Sequence, residues 1–168
     1  MYLKVVPWIA IEHLSLAAAK KEIIQIPWAW ITISSDKRSK KSMDEFALRL
    51  GPYLKGYLNL RFDDIDETTY NRMEPKEQAK IILFSNEHAK QIIEFVDKMK
   101  DQIVYFVINC EAGISRSGAV GTWLCDYWGL NYEQFRLNHR HIMPNGYVLR
   151  VLRRVSDMLP QGAESAPG

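Results

Sequence analysis

One stretch constrains the fold more than any other. An apolar run, Ile103-Val104-Tyr105-Phe106-Val107-Ile108, is followed after Asn109 by Cys110-Glu111-Ala112-Gly113-Ile114-Ser115-Arg116-Ser117-Gly118, and then by Ala119-Val120-Gly121-Thr122-Trp123-Leu124. The first run is short, β-branched and aromatic, as in a buried strand, and the last reads as the opening of a helix. Other strand-like runs lie at about residues 2–8, 28–34 and 55–62, with helical patterns between them. Strands alternating with helices predict an α/β single domain, whose central, mainly parallel sheet of four to five strands carries helices on both faces.

The helical patterns are specific in places. Ser15 is placed to cap a helix through about Lys21, Asp44 to Leu48 suggests a short one, and Ser85 or Asn86 caps a longer one. In that longer helix Ala89, Ile92, Ile93, Val96 and Met99 form one apolar stripe. Beyond the loop come a helix to about Trp128, a turn at Gly129, a helix from Tyr132 to Asn138, and a last one from Pro144 to about Met158. Trp28, Trp30, Trp123 and Trp128 sit in periodic apolar segments and read as core anchors. Residues 1–159 are expected to form the domain, and the apolar-poor stretch 160–168 a disordered tail.

A small-residue loop between a strand and a helix start has a chemical consequence. Amides there point outward unpaired with a partial positive charge, and Gly113 lets the backbone curl inward. Such a loop holds an oxyanion. A cysteine at its rim faces the same amides, which favour thiolate over thiol, and Arg116 offers a fork that fits two oxygens of a tetrahedral anion. Thiolate, amide cradle and guanidinium together describe a phosphate-cleaving nucleophile.

Cys110-x-x-Gly113-x-Ser115-Arg116-Ser117 resembles the signature of the cysteine-based protein tyrosine phosphatase superfamily, in the form of its dual-specificity branch. Ile142-Met143-Pro144-Asn145-Gly146-Tyr147 is similar to the segment that opens the last helix of that branch. By element order the resemblance covers about residues 28–158. It implies a metal-independent phosphomonoester hydrolase, a tyrosine or dual-specificity protein phosphatase, working without cofactor through a phosphocysteine on Cys110. Arg116 and the amides of Glu111, Ala112, Gly113, Ile114, Ser115 and Arg116 would bind the phosphoryl oxygens. Ser117 would donate a hydrogen bond to the sulfur, Asn145 would brace the site from behind, and the Glu111 side chain would point outward into water.

The resemblance also requires an aspartate on a separate loop. Arg61-Phe62-Asp63-Asp64-Ile65-Asp66 follows a strand-like run, and by resemblance Asp64 is the general acid, with Asp63 and Asp66 behind it. The sequence departs from the family pattern where the nucleophile is preceded by Asn109 rather than His, a position an amide hydrogen bond can fill. It departs again in the acid loop, which lacks Trp-Pro, and in the length between Asp64 and Cys110, which implies extra structure between about Glu67 and Phe84.

Composition excludes several classes. With 168 residues, 47% hydrophobic and 25% charged, the chain reads as an ordinary globular domain, and a net charge of +2 argues for neither nucleic acid nor a membrane surface. Two cysteines, Cys110 and Cys125, make no disulfide framework, and a reactive thiolate needs reducing surroundings, so a cytoplasmic location is expected. Cys125 reads as a core cysteine, with a redox partnership to Cys110 as the alternative. The apolar N-terminal stretch Val5 to Ala19 is broken by Pro7, Glu12 and His13, unlike a signal peptide, and no segment has the length of a membrane span. His13, His88, His139 and His141 show no ligand-like spacing, so no metal is expected.

The basic loop Ser35 to Ser42 reads first as a solvated loop, with attraction of an anionic substrate as the alternative. Phosphoprotein, phosphoinositide and RNA 5′ phosphate all stand as candidates. A non-catalytic phosphate-binding module is the competing class, motivated by Asn109. A sulfur-transfer loop is disfavoured because five residues, not four, separate Cys110 from Arg116.

Overall fold

The computed structural model describes residues 1–7, 10, 26–35 and 40–159. Four strands, β1 (Tyr2–Pro7), β2 (Trp28–Ser34), β3 (Leu54–Arg61) and β4 (Tyr105–Cys110), form an all-parallel sheet in the order β1-β4-β2-β3. Parallel strands bury both faces, and β2 has no exposed position along its length. The helix expected from Ser15, the tail from residue 160 and residues 36–39 of the basic loop lie outside the described residues.

Seven helices follow in chain order among the described residues: α1 (Lys40–Arg49), α2 (Glu67–Arg72), α3 (Pro75–Gln78), α4 (Asn86–Met99), α5 (Arg116–Tyr127), α6 (Tyr132–Asn138) and α7 (Gly146–Met158). Helix α1 begins inside the segment read as the basic loop, and α2 and α3 are the extra structure expected after Asp64. The last helix starts at Gly146 rather than Pro144, because Asn145 caps it, its side-chain oxygen accepting from the N–H groups of Tyr147 and Val148.

The strand period separates two cores. Ile31, Ile33, Phe106, Ile108 and Leu60 face α4, α5 and α7, where the predicted stripe of Ala89, Ile92, Ile93, Val96 and Met99 is buried. Trp28, Trp30 and Val107 point to the other face and meet Met43 and Phe46 of α1. Trp123 is buried as expected, while Trp128 is only partly so.

A third cluster ties the edge strand to the loop side. Val5 packs with Cys125, Phe135 and Ile142, so Cys125 is a core residue whose thiol burial pushes upward. Beneath it the buried His139 accepts the Val5 backbone N–H on Nε2 at 3.1 Å, with Nδ1 2.9 Å from the Phe135 carbonyl. Only a neutral ring protonated on Nδ1 satisfies both partners.

Burial accordingly holds His139 below the ordinary histidine value of 6.5, and the same cause lowers His88. The folded state prefers both rings neutral, while the unfolded chain takes up protons as pH falls below that value. Their contribution is therefore present above 6.5 and lost as pH drops through the lowered folded-state values. The melting temperature is expected to fall between about pH 7.5 and about pH 5.5, and His139→Gln to lower it at the higher pH while shrinking the difference. Calorimetric scans at the two pH values check this.

Candidate active site

In a parallel sheet the carboxyl ends of the strands share one edge, and groups that follow different strands meet there. Cys110 ends β4, Ser35 follows β2, and Phe62-Asp63-Asp64 follow β3. Residues 110–116 form the loop into α5, which begins at Arg116.

Gly113 sets the shape of that loop. Its φ is +70°, and a Cβ there would stand 2.4 Å from Pro7 N and Val6 C, so the loop rests against the end of β1 at a distance only glycine permits. From behind, the Ile114 carbonyl accepts the Met143 N–H at 3.2 Å and the Ser115 carbonyl accepts the Asn145 N–H at 3.2 Å. Among the described residues no backbone N–H of Glu111 to Ser115 donates to another backbone group. Those donors are left for an anion, in keeping with a loop that runs into a helix start.

Cys110 is buried, and the Ser117 hydroxyl lies 3.1 Å from its sulfur. Asn109 faces the opposite side of the sheet, where its side-chain oxygen accepts Trp30 Nε1 at 2.7 Å. The amide therefore anchors the strand before Cys110 to β2.

Arg116 is buried with 7% side-chain exposure. Its Nη1 donates to Ser35 Oγ at 3.0 Å and to the Phe62 carbonyl at 2.9 Å, and its Nη2 pairs with Glu111. Its Nε has no partner. Glu111 is exposed but not simply solvated: one carboxylate oxygen pairs with Arg116 and the other accepts the Ser35 N–H at 3.2 Å. A buried guanidinium needs a counter-charge, and position 111 lies within reach of it.

The three acids of the β3 exit are separated by what they hold. Asp63 is half-buried, and its carboxylate accepts the Ile82 N–H at 2.7 Å while its own N–H donates to the Ile82 carbonyl at 2.8 Å. Asp66 caps α2, accepting the Thr69 N–H at 2.7 Å, and that backbone hydrogen bond lowers its pKa. Asp64 alone of the three reaches the loop: its Oδ1 accepts from Ser115 Oγ at 2.8 Å and from Asn145 Nδ2 at 2.9 Å.

Sequence reasoning had brought in Asn145 only as a brace and Ser115 only for its amide. The structure gives both side chains to Asp64. Ser35 was read only as the start of a basic loop, yet its hydroxyl and amide meet Arg116 and Glu111. The capping role of Asp66 was missed, although an Asp directly ahead of Glu67-Thr68-Thr69 is an N-cap signal. No spacing rule signals the Glu111–Arg116 pair across a loop.

The all-parallel sheet, with a cysteine and an arginine on the loop between β4 and α5, has a fold like that of solved tyrosine phosphatases and phosphatase-like proteins. Among solved structures, the human tyrosine phosphatase-like serine/threonine/tyrosine-interacting protein matches with a TM-score of 0.56 at 18% identity, over 93% of this chain and 91% of that one. Tk-PTP in its active form matches with a TM-score of 0.53 at 17% identity, over 94% and 91%. PTPMT1 in complex with PI(5)P matches with a TM-score of 0.53 at 14% identity, over 94% and 91%. At these identities the likeness is one of fold. No protein-family model matches the sequence, and no curated protein does. Among the described residues no helix is long and apolar enough to cross a membrane.

Asn145 joins two tasks, so its removal has two readouts. Asn145→Ala is expected to destabilise the fold by about 1 kcal/mol through the lost cap of α7. Asn145→Ser keeps a capping oxygen but cannot reach Asp64, and is expected to recover stability without recovering the carboxylate's tether. Denaturant titration reads the first effect, and the carboxyl carbon shift of Asp64 in an NMR spectrum reads the second.

Proposed function

We propose that the chain is a metal-independent phosphomonoester hydrolase that works through a phosphocysteine on Cys110, acting as a tyrosine or dual-specificity protein phosphatase. The observation that carries this reading is the convergence on one loop of a sulfur, a buried guanidinium with an unpartnered Nε, and a carboxylate tethered by Ser115 and Asn145. Glu111, Ala112 and Asp64 are exposed, so the loop opens at the surface and suits a phosphate borne by a macromolecule.

In the first step the Cys110 thiolate attacks phosphorus as the ester P–O bond breaks. Asp64 protonates the departing oxygen. Because Oδ1 already accepts two hydrogen bonds, the proton is carried on Oδ2. The amides of residues 111–116 and the Nε–Nη2 edge of Arg116 hold the equatorial oxygens, where transition-state charge is spread. In the second step Asp64 takes a proton from water, the oxygen attacks phosphorus, the S–P bond breaks, and Ser117 donates its hydrogen bond to the leaving sulfur.

Hydrolysis of p-nitrophenyl phosphate is expected to persist in chelator and to vanish in Cys110→Ser. Arg116→Lys is expected to lose about 10²- to 10³-fold in kcat, since lysine makes no bidentate contact. Asp64→Asn is expected to lose about 10²-fold or more, with Asp63→Asn and Asp66→Asn acting on stability instead. Turnover surviving in Cys110→Ser would sink the reading, and tight oxyanion binding by a wild-type protein that turns nothing over would replace it with the binding-module alternative. A panel of phosphotyrosine, phosphoserine and phosphothreonine peptides, PI(5)P and a 5′-phosphorylated RNA separates the protein substrates from the others.

A further inference from the structure

Three hydrogen bonds close a ring around the end of the Arg116 side chain. Arg116 Nη2 meets one Glu111 oxygen, the other accepts the Ser35 N–H at 3.2 Å, and the Ser35 hydroxyl accepts Arg116 Nη1 at 3.0 Å. Ser35 is itself held through its carbonyl, which accepts Arg61 Nε at 3.0 Å.

A guanidinium has five N–H groups, and their accounting fixes what remains. Both protons of Nη1 are spent, on Ser35 and on the Phe62 carbonyl. Glu111 also reaches Ser35, which sits at Nη1, so its carboxylate approaches from the Nη1–Nη2 end. That leaves Nε–H and the second Nη2–H side by side on the other edge, and Nε is buried without a partner. This is the edge that grips two oxygens at once.

We propose that Glu111 is a positioning residue for Arg116: with Ser35 it locks the guanidinium so that its Nε–Nη2 edge faces the amide cradle. The inference rests on the phosphatase reading and adds to it a loop that carries its own arginine clamp. An untethered arginine loses rotamer freedom when an anion fixes it, and a held one has already lost it before the anion arrives. The carboxylate also balances the buried positive charge. It does so from the solvent side, with 44% exposure, which leaves the cradle side open.

The same contact read as an internal competitor for the anion predicts the opposite sign, and one experiment separates them. Tungstate affinity is measured by calorimetry on wild type, Glu111→Ala, Glu111→Gln, Arg116→Lys and the Glu111→Ala/Arg116→Lys double variant, with melting curves as the control for folding. Glu111→Ala is expected to weaken tungstate by about 10- to 100-fold, as for loss of a charged hydrogen bond, with kcat/KM for aryl phosphate falling in parallel. Alkylation of Cys110 by iodoacetamide without tungstate should keep its wild-type rate, because the amides are untouched. Glu111→Gln, which keeps one acceptor, is expected to stay within about fivefold of wild type.

In the Arg116→Lys background, where no fork remains to orient, Glu111→Ala should change affinity by less than about threefold. Ser35→Ala removes one of the two Nη1 partners and should weaken tungstate in the same direction, which keeps the test intact if Glu111→Ala unfolds. Equal or tighter tungstate binding by Glu111→Ala overturns the proposal, as does an undiminished penalty in the lysine background. A wild-type protein that neither binds tungstate nor hydrolyses aryl phosphate instead strikes the phosphatase reading itself.

Discussion

A single buried guanidinium gathers the ends of the sheet. Arg116 sits at the start of α5, yet its donors reach Ser35 beyond β2 and the Phe62 carbonyl beyond β3, and its counter-charge comes from Glu111 beyond β4. A charge taken out of water must be matched by partners, and here those partners are the exits of three parallel strands. Sheet topology thus becomes site geometry: the strands deliver their loops to one edge, and the arginine fixes the loops to each other. Gly113 supplies the complementary contact at β1, where the loop backbone lies too close to Val6 and Pro7 for any side chain.

Around that arginine the acids divide their labour by hydrogen-bond geometry rather than by sequence position. Asp63 and Asp66 are spent on the segment after β3 and on the cap of α2, whereas Asp64 is held at the loop by donors from two distant parts of the chain. Neighbours in sequence point different ways where the chain leaves a strand and turns into a helix. Three acids in four positions therefore perform three tasks.

This explains how far the sequence could be read. The strands and the apolar stripe of α4 were legible because burial imposes a period, and the anion loop was legible because Gly113 and a helix start impose a backbone shape. The choice of Asp64 among three acids came from resemblance, and its tether was not visible, since Ser115 and Asn145 lie 51 and 81 residues away in sequence. The outward reading of Glu111 matched its exposure but missed its partners for a similar reason. A side chain's direction on a loop is decided by what other loops bring to it, here Ser35 and a guanidinium in need of a negative charge. His139, unremarkable as an isolated histidine, became a buried strut only once β1 was laid beside α6.

Asn145 ties the beginning of α7 to the carboxylate that follows β3. During synthesis the cysteine loop and the acid both leave the ribosome before α7 does. Until that helix docks, Asp64 lacks one of its two tethers. The placement of that carboxylate and the docking of α7 are therefore linked through one amide, and a nascent chain whose cysteine loop has already formed holds Asp64 by a single tether until α7 is in place.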